Sequence, residues 1–122
     1  NNFMEEEIYQ MMVATTEDQD ELILENTTTL KVARWWNRAC DIIPCNGGKD
    51  IGIQKILDYF NFNKEEAMAF GDGGNDISML KYVGTGVAMG NAKDNVKAIA
   101  DYITDSVQED GIVSALKHFE IL

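Results

Sequence analysis

From Lys49 onward, short apolar stretches alternate with segments of helical periodicity, and this alternation limits the folds that the chain can adopt. Strands that alternate with helices usually form a parallel sheet with right-handed crossovers. This part of the chain is therefore predicted to be an α/β domain with a mostly parallel sheet. Helices are predicted over residues 49–60, 75–83, 92–100 and 109–119, and strands over residues 67–70, 84–90 and 101–104.

The part of the chain before Pro44 has a different character. Only Asn37 and Arg38 separate two of its predicted strands, which indicates a hairpin turn and an antiparallel sheet with a helix on one face. The proline and the Gly47–Gly48 pair mark a boundary, so we predict a first domain over residues 1–44 and a second over residues 45–122. The strands are predicted over residues 8–15, 29–36 and 39–45, and the helix over residues 16–26.

The charge of the chain restricts its partners. Ten basic and 21 acidic residues among 122 give a formal net charge of −11. Nucleic acid and anionic membrane surfaces are not expected as partners, because their phosphate groups are repelled by such a surface. No apolar run approaches the length of a membrane span. An anionic substrate would need a local cation in its binding site.

The cysteine content gives an expectation about the cellular compartment. Two cysteines, Cys40 and Cys45, are too few for a disulfide scaffold, and one pair cannot complete a four-ligand zinc site. A reducing compartment, and hence the cytoplasm, is expected. Both thiols are predicted to be buried or half-buried.

The segment AFGDGGNDISML, residues 69–80, concentrates acidic, amide and glycine residues after an apolar strand. In open α/β sheets, sites form at the carboxyl ends of the strands, which is where Asp72 is predicted to lie. Two carboxylates four residues apart, Asp72 and Asp76, suit a hard divalent cation such as Mg²⁺. The alternative is a glycine-rich turn in which Asp76 caps the next helix.

A cation is available one β–α step earlier in the sequence. Lys49 follows the Gly47–Gly48 turn at the start of a predicted helix, where a positive charge opposes the helix dipole. Its ammonium group could neutralise a phosphate oxygen. The alternative is an ordinary solvated lysine.

These motifs carry a family resemblance. GGKDIGIQKILDYF, then AMAFGDGGNDISMLKYVGTGVAMGNAKDNVKAIADYIT, and finally DGIVSALKHF resemble the C-terminal half of a Cof-type phosphatase of the haloacid dehalogenase superfamily. Residues 8–44 are similar to the last strands and helix of the cap domain of such enzymes. The resemblance implies half of a Rossmann-like core with a mostly parallel sheet, preceded by an antiparallel α+β cap fragment.

The resemblance also implies an activity and a set of roles. Enzymes of this family hydrolyse small phosphate monoesters, such as sugar phosphates, through an aspartyl-phosphate intermediate and with the help of Mg²⁺. Asp72 would be a catalytic Mg²⁺ ligand, and Asp76 would support the metal through water or through the surrounding shell. Asn75 would bind the substrate phosphate or the metal shell. Lys49 would hold both the phosphate and the nucleophilic carboxylate.

One motif of the family is missing. The family's nucleophile lies in a D-x-D-G motif, whereas Asp18 and Asp20 have the spacing but are followed by Glu21. They are better explained as the acidic first turn of a cap helix. The chain is therefore expected to be an inactive fragment that pairs with a missing N-terminal half or with another chain. Two alternatives stay open: a non-catalytic module that binds Mg²⁺ and phosphate, and a phosphotransferase of the same superfamily.

Two further residues, Asn91 and His118, are predicted to have structural roles. Asn91 is predicted to cap the helix that begins near Lys93. His118 lies in the last turn of the final predicted helix, where a cation interacts favourably with the helix dipole. Neither residue is assigned to the site.

Overall fold

The computed structural model describes residues 7–122, which divide into two compact units. The first unit ends at Gly48 and the second comprises Lys49–Leu122. Unit 1 contains an antiparallel sheet and unit 2 a parallel sheet, which confirms the predicted α/β class with an antiparallel α+β segment before it. Within residues 7–122, no helix combines the length and the apolarity that a membrane crossing requires.

The sheet of unit 1 has the strand order β1-β3-β2, with both pairs antiparallel. The predicted hairpin turn lies between β2 and β3, at Asn37 and Arg38. Val32 and Met11 both pair with Ile42 on the central strand, and Ile42 is buried. The elements are β1 (Met11–Val13), α1 (Asp20–Leu24), β2 (Leu30–Trp36) and β3 (Ala39–Pro44), and a 3₁₀ turn (Glu17–Gln19) precedes α1.

An arginine connects the sheet of unit 1 to its helix. The Arg34 guanidinium group donates hydrogen bonds to the Asp20 carboxylate and, at 2.8 Å, to the carbonyl oxygen of Thr15. Asp20 therefore has a structural partner in unit 1, as expected for the acidic first turn of a helix. Both cysteines are free thiols, and Cys40 is buried on the central strand. The prediction of a buried or half-buried thiol is wrong for Cys45, which is exposed and lies in the turn after β3.

The sheet of unit 2 has the strand order β4-β5-β6, and both pairs are parallel. β4 pairs only with β5 in the described part of the chain, so its other edge has no partner strand there. The strands are β4 (Met68–Gly71), β5 (Thr85–Ala88) and β6 (Tyr102–Ile103), and the helices are α2 (Lys49–Phe60), α3 (Ile77–Tyr82), α4 (Asp94–Lys97) and α5 (Gly111–His118).

The core of unit 2 lies between this sheet and its helices. Leu80 on α3 and Val96 on α4 are almost completely buried, together with Ala88 on β5. The end of α3 approaches β5 very closely: a Cβ atom at Gly86 would lie 2.3 Å from the carbonyl oxygen of Leu80. Glycine at this position therefore allows the helix to pack against the strand that follows it.

We expect Leu80→Ala to lower the free energy of unfolding by about 2–5 kcal/mol, because it leaves a cavity in a core that cannot fully collapse around it. The matched control is Leu122→Ala, which removes a side chain from a residue that is 71% exposed. For this control we expect a change within about 0.5 kcal/mol. Urea unfolding followed by circular dichroism measures both values, and equal effects of the two substitutions would contradict this description of the core.

Candidate active site

A cleft of about 370 Å³ opens at the carboxyl ends of the strands of unit 2. Its polar side chains come from residues that are far apart in sequence. Lys49 begins α2, while Asp72 directly follows β4 and Asn91 lies three residues after β5. Met89, Val107 and Ile112 add apolar surface to the same cleft. The structure therefore brings three of the four sequence-predicted site residues, Lys49, Asp72 and Asp76, to one cleft.

Asp76 connects the parts of this cleft. Its side chain accepts a hydrogen bond from the Lys49 ammonium group through Oδ1. Its other oxygen, Oδ2, accepts hydrogen bonds from the backbone amides of Asp72 and Gly73, each at 3.0 Å. Asp76 is only 5% exposed, and a Cβ atom at Gly71 would lie 2.6 Å from the Asp76 Cβ. A glycine before Asp72 is therefore needed for the carboxylate to fold back under the strand end.

The protonation of Asp76 reflects these contacts. Burial acts to raise the pKa of the Asp76 carboxyl group. The hydrogen bond from Lys49, the amides of Gly73 and Asp72 and the positive charge of Lys49 act in the opposite direction and prevail, so that the pKa lies below its ordinary value. Asp76 is consequently a carboxylate at neutral pH.

Lys49 has a specific partner although it stands at a helix N-terminus. Its side chain is 50% exposed, so the ammonium group is bound by Asp76 and also accessible from solvent. The unfavourable position relative to the helix dipole is offset by this ion pair. Lys49 can therefore present a positive charge to an anion in the cleft.

Asp72 is exposed, and its oxygens differ in their contacts. Oδ2 accepts a hydrogen bond from Asn91 Nδ2 at 3.0 Å. In the described part of the chain, Oδ1 has no hydrogen-bond donor among protein groups. An oxygen with free lone pairs is the type of ligand that Mg²⁺ prefers.

The residues present fit Mg²⁺ only as part of a larger ligand set. Within residues 7–122, no group of three or more histidine, cysteine or acidic side chains gathers in a metal-binding arrangement. Mg²⁺ in proteins commonly rests on one or two carboxylates, several waters and substrate phosphate, and a single free carboxylate oxygen on Asp72 is compatible with this pattern. Both oxygens of Asp76 are engaged by protein donors, which favours an indirect role for this residue.

The remaining sequence-predicted residue has a different environment. Asn75 lies in the 3₁₀ turn Gly74–Asp76 that precedes α3, and it is half-buried. Its carboxamide oxygen lies close to Gly73, where an added Cβ would be 2.6 Å away. Asn75 is not among the side chains that line the cleft.

Asn91 takes a position that sequence reasoning did not find. The prediction that it caps the helix after Lys93 is wrong, because its side chain contacts Asp72 and Val107 instead. The N-cap of α4 is Lys93, and no side-chain hydrogen bond caps that helix. Local spacing indicated only a helix cap, and the contact with Asp72 depends on how the loops after two strands approach each other. His118, by contrast, stacks on Tyr102 with ring centroids 4.2 Å apart and does not line the cleft.

Comparison with known protein families gives one match that covers most of the chain. The sequence profile of the haloacid dehalogenase-like hydrolases matches residues 1–116. This range includes both units except for the end of α5 and the last four residues.

Two curated relatives agree with this match. YkrA of Bacillus subtilis (strain 168) is 40% identical over 116 residues, which are 95% of this chain and 45% of YkrA. The 5-amino-6-(5-phospho-D-ribitylamino)uracil phosphatase YitU of the same organism is 44% identical over 89 residues, which are 70% of this chain and 33% of YitU.

A solved structure extends the comparison to three dimensions. The HAD subclass IIB sugar phosphatase BT4131 superposes with a TM-score of 0.89 at 44% identity, over 96% of this chain and 45% of that protein. The present chain therefore spans less than half the length of both YkrA and BT4131.

We expect the stabilising effect of the Asp76 carboxylate to depend on pH. Its folded-state pKa is lowered, so the unfolded chain takes up this proton at a higher pH than the folded chain does. The difference in free energy of unfolding between the natural protein and Asp76→Asn should be constant above about pH 5. It should shrink as the pH falls below about 4 and passes through the folded-state pKa of Asp76.

Urea unfolding at a series of pH values, in buffer with a chelator, measures this difference. The matched control is Asp58→Asn, because Asp58 is exposed on α2. This control should not reproduce the pH dependence. A difference for Asp76→Asn that stays constant down to pH 3, or grows there, would contradict the lowered pKa.

Proposed function

Because this chain belongs to the haloacid dehalogenase superfamily and resembles its Cof-type phosphatases, we propose that it forms the Mg²⁺- and phosphate-binding part of a phosphatase. One observation carries the proposal. The buried Asp76 carboxylate binds the Lys49 ammonium group and the Asp72 backbone, so that a cation and a partly free carboxylate share one cleft. A phosphate monoester and a divalent cation have complementary charges to these two groups.

Each site residue has a role in this proposal. Lys49 pairs with a phosphate oxygen and offsets the repulsion that a chain with a net charge of −11 exerts on an anion. Asp72 would hold Mg²⁺ through the oxygen that Asn91 does not bind, and Asp76 keeps Lys49 and Asp72 in place. The role of Asn75 as a donor to the substrate phosphate or to the metal's water shell rests on the family resemblance alone, since its side chain does not line the cleft. When bound, Mg²⁺ supplies charge neutralisation and orients the transferring group.

The nucleophile of the proposed reaction comes from outside these residues, since the 122 residues contain no D-x-D-G sequence. An aspartate oxygen from a D-x-D-G segment attacks phosphorus, the bond from phosphorus to the ester oxygen breaks, and the leaving oxygen takes up a proton and departs as the alcohol. Water then cleaves the aspartyl-phosphate, which releases inorganic phosphate and restores the carboxylate. The segment would approach the edge of β4 that has no partner strand in the described part of the chain.

We extend the proposal to the substrate class and to the domains. YitU is named as a phosphatase of a phosphorylated ribityl compound, and BT4131 is described as a sugar phosphatase. We therefore propose small phosphate monoesters of sugars or sugar alcohols as substrates.

Residues 1–44 would be the C-terminal part of a cap domain, and residues 45–122 would be the C-terminal half of the core. The free thiols Cys40 and Cys45 favour a cytoplasmic location.

The full-length protein should release phosphate from p-nitrophenyl phosphate with Mg²⁺ and lose this activity with excess EDTA. Lys49→Met should lower kcat/KM by about 100-fold or more, because it removes a charge that acts on the transferring phosphoryl group. Asp72→Asn should raise the Mg²⁺ concentration needed for half-maximal rate by about 10- to 100-fold. Lys55→Met is the matched control, since Lys55 is exposed on the same helix as Lys49.

Steady-state kinetics across a range of Mg²⁺ concentrations gives both quantities. Full activity in EDTA, or equal effects of Lys49→Met and Lys55→Met, would refute the proposed site. A folded Asp72→Asn variant with an unchanged Mg²⁺ requirement would refute the assignment of Asp72 as the ligand.

A protein made of residues 1–122 alone should release no phosphate from the same substrate, because it has no nucleophile. Asp18 and Asp20 are the only pair with the D-x-D spacing, and Asp20 is bound by Arg34. Turnover by this protein that depends on Mg²⁺ and is abolished by Asp18→Asn would show that the nucleophile lies within the chain. Contaminating phosphatases are excluded by purifying the Asp72→Asn variant in parallel.

A further inference from the structure

We infer that Asn91 is a positioning residue for Asp72: its carboxamide fixes the orientation of the carboxylate that the proposed function assigns to Mg²⁺. The inference rests on that proposed function and adds a residue to it. Asn91 does not touch the substrate in this proposal. It acts on the metal site through Asp72 alone.

The side chain of Asn91 connects two groups of opposite hydrogen-bonding type. Nδ2 donates to Asp72 Oδ2 at 3.0 Å, and Oδ1 accepts from the backbone N–H of Val107 at 3.0 Å. An ionised carboxylate can only accept and a backbone N–H can only donate, so the two partners determine which end of the carboxamide faces which group. A rotation of the carboxamide by 180° would lose both hydrogen bonds.

These contacts join the loops after all three strands of the unit 2 sheet. Asp72 follows β4, Asn91 follows β5 and Val107 follows β6. The three strands are parallel, so their carboxyl ends lie at the same edge of the sheet. Asn91 therefore crosses the edge at which the cleft opens, and it lines that cleft itself.

The loop that anchors Asn91 is held by contacts of its own. The Gly90 amide donates to the carbonyl oxygen of Asp105 at 2.9 Å. The Ser106 hydroxyl donates to the Glu109 carboxylate at 2.6 Å, which closes the turn that contains Val107. Because its acceptor end is attached to a constrained turn, the donor end of Asn91 is also constrained.

This constraint matters because Asp72 is exposed. An exposed carboxylate samples several side-chain orientations unless a neighbour holds it, and ordering it on metal binding lowers the affinity. Because Asn91 binds Oδ2, the Asp72 carboxylate is limited to a few orientations, and its other oxygen stays available for a metal. Groups that orient metal ligands in this way typically contribute 10- to 100-fold to metal affinity.

The test measures Mg²⁺ binding to the full-length protein by calorimetry, without substrate. Asn91→Ala should weaken Mg²⁺ binding by roughly 10- to 100-fold. The Mg²⁺ concentration needed for half-maximal release of phosphate from p-nitrophenyl phosphate should rise by the same factor, because Asn91 acts through the metal ligand Asp72. The matched control is Asn95→Ala, an exposed asparagine on α4, which should leave Mg²⁺ affinity unaltered.

A measurement on the natural sequence covers the case in which Asn91→Ala does not fold. The side-chain amide signals of Asn91 in nitrogen-15 NMR should shift on titration with Mg²⁺ and saturate at the concentration that calorimetry gives, whereas those of Asn95 should not shift. Unshifted Asn91 signals, or a folded Asn91→Ala variant with unchanged Mg²⁺ affinity, would overturn the inference.

Asp72→Asn separates this inference from the proposed function. If Asp72→Asn leaves Mg²⁺ binding intact, the proposed metal site itself is wrong. If Asp72→Asn weakens binding and Asn91→Ala does not, the metal site stands and only the positioning role of Asn91 is wrong.

Discussion

The candidate site depends on a buried carboxylate that is bound on both of its oxygens. Asp76 receives the Lys49 ammonium group on one oxygen and two backbone amides on the other. A buried charge is costly unless it is paired and hydrogen-bonded, and hydrogen bonds to an ionised group are stronger than those between neutral groups. The same contacts that stabilise this charge also bring the start of α2 next to the end of β4. The contacts of Asp76 therefore stabilise unit 2 and assemble the cleft at the same time.

This arrangement also resolves the conflict between the net charge and an anionic ligand. The chain as a whole repels anions, but the interaction between charges is strongly reduced beyond a Debye length of about 8–10 Å at physiological ionic strength. A single ammonium group that is directed into the cleft therefore has more influence on a bound phosphate than distant surface carboxylates have. Lys49 meets this requirement because Asp76 binds it while leaving half of its side chain exposed.

Local sequence patterns predicted the elements but not every contact between them. The predicted helix over residues 49–60 agrees with α2, because its periodicity is regular and the Gly47–Gly48 turn precedes it. The helix predicted over residues 92–100 is only Asp94–Lys97, because the chain after Ala98 returns to the sheet. The Asp101 amide donates to the Gly86 carbonyl oxygen, and the Asp101 carboxylate accepts from the Gly86 amide.

The prediction for Asn91 is wrong for a similar reason, since its partners Asp72 and Val107 are 19 and 16 residues away. A spacing rule detects a helix cap whose partner lies two or three residues away, whereas a contact between loops depends on the tertiary fold.

The proposed metal site and the sheet are incomplete at the same place. Asp72 offers one free carboxylate oxygen at the end of β4, and β4 is one of the two edge strands of its sheet in the described part of the chain. Parallel neighbours end at the same edge of a sheet, so a further parallel strand beside β4 would place its own terminal side chains next to Asp72. An open edge of backbone hydrogen-bonding groups favours the addition of such a strand. One added strand could therefore supply both the missing backbone partners and a second carboxylate, and this coincidence is the physical reason to look for the nucleophile on that strand.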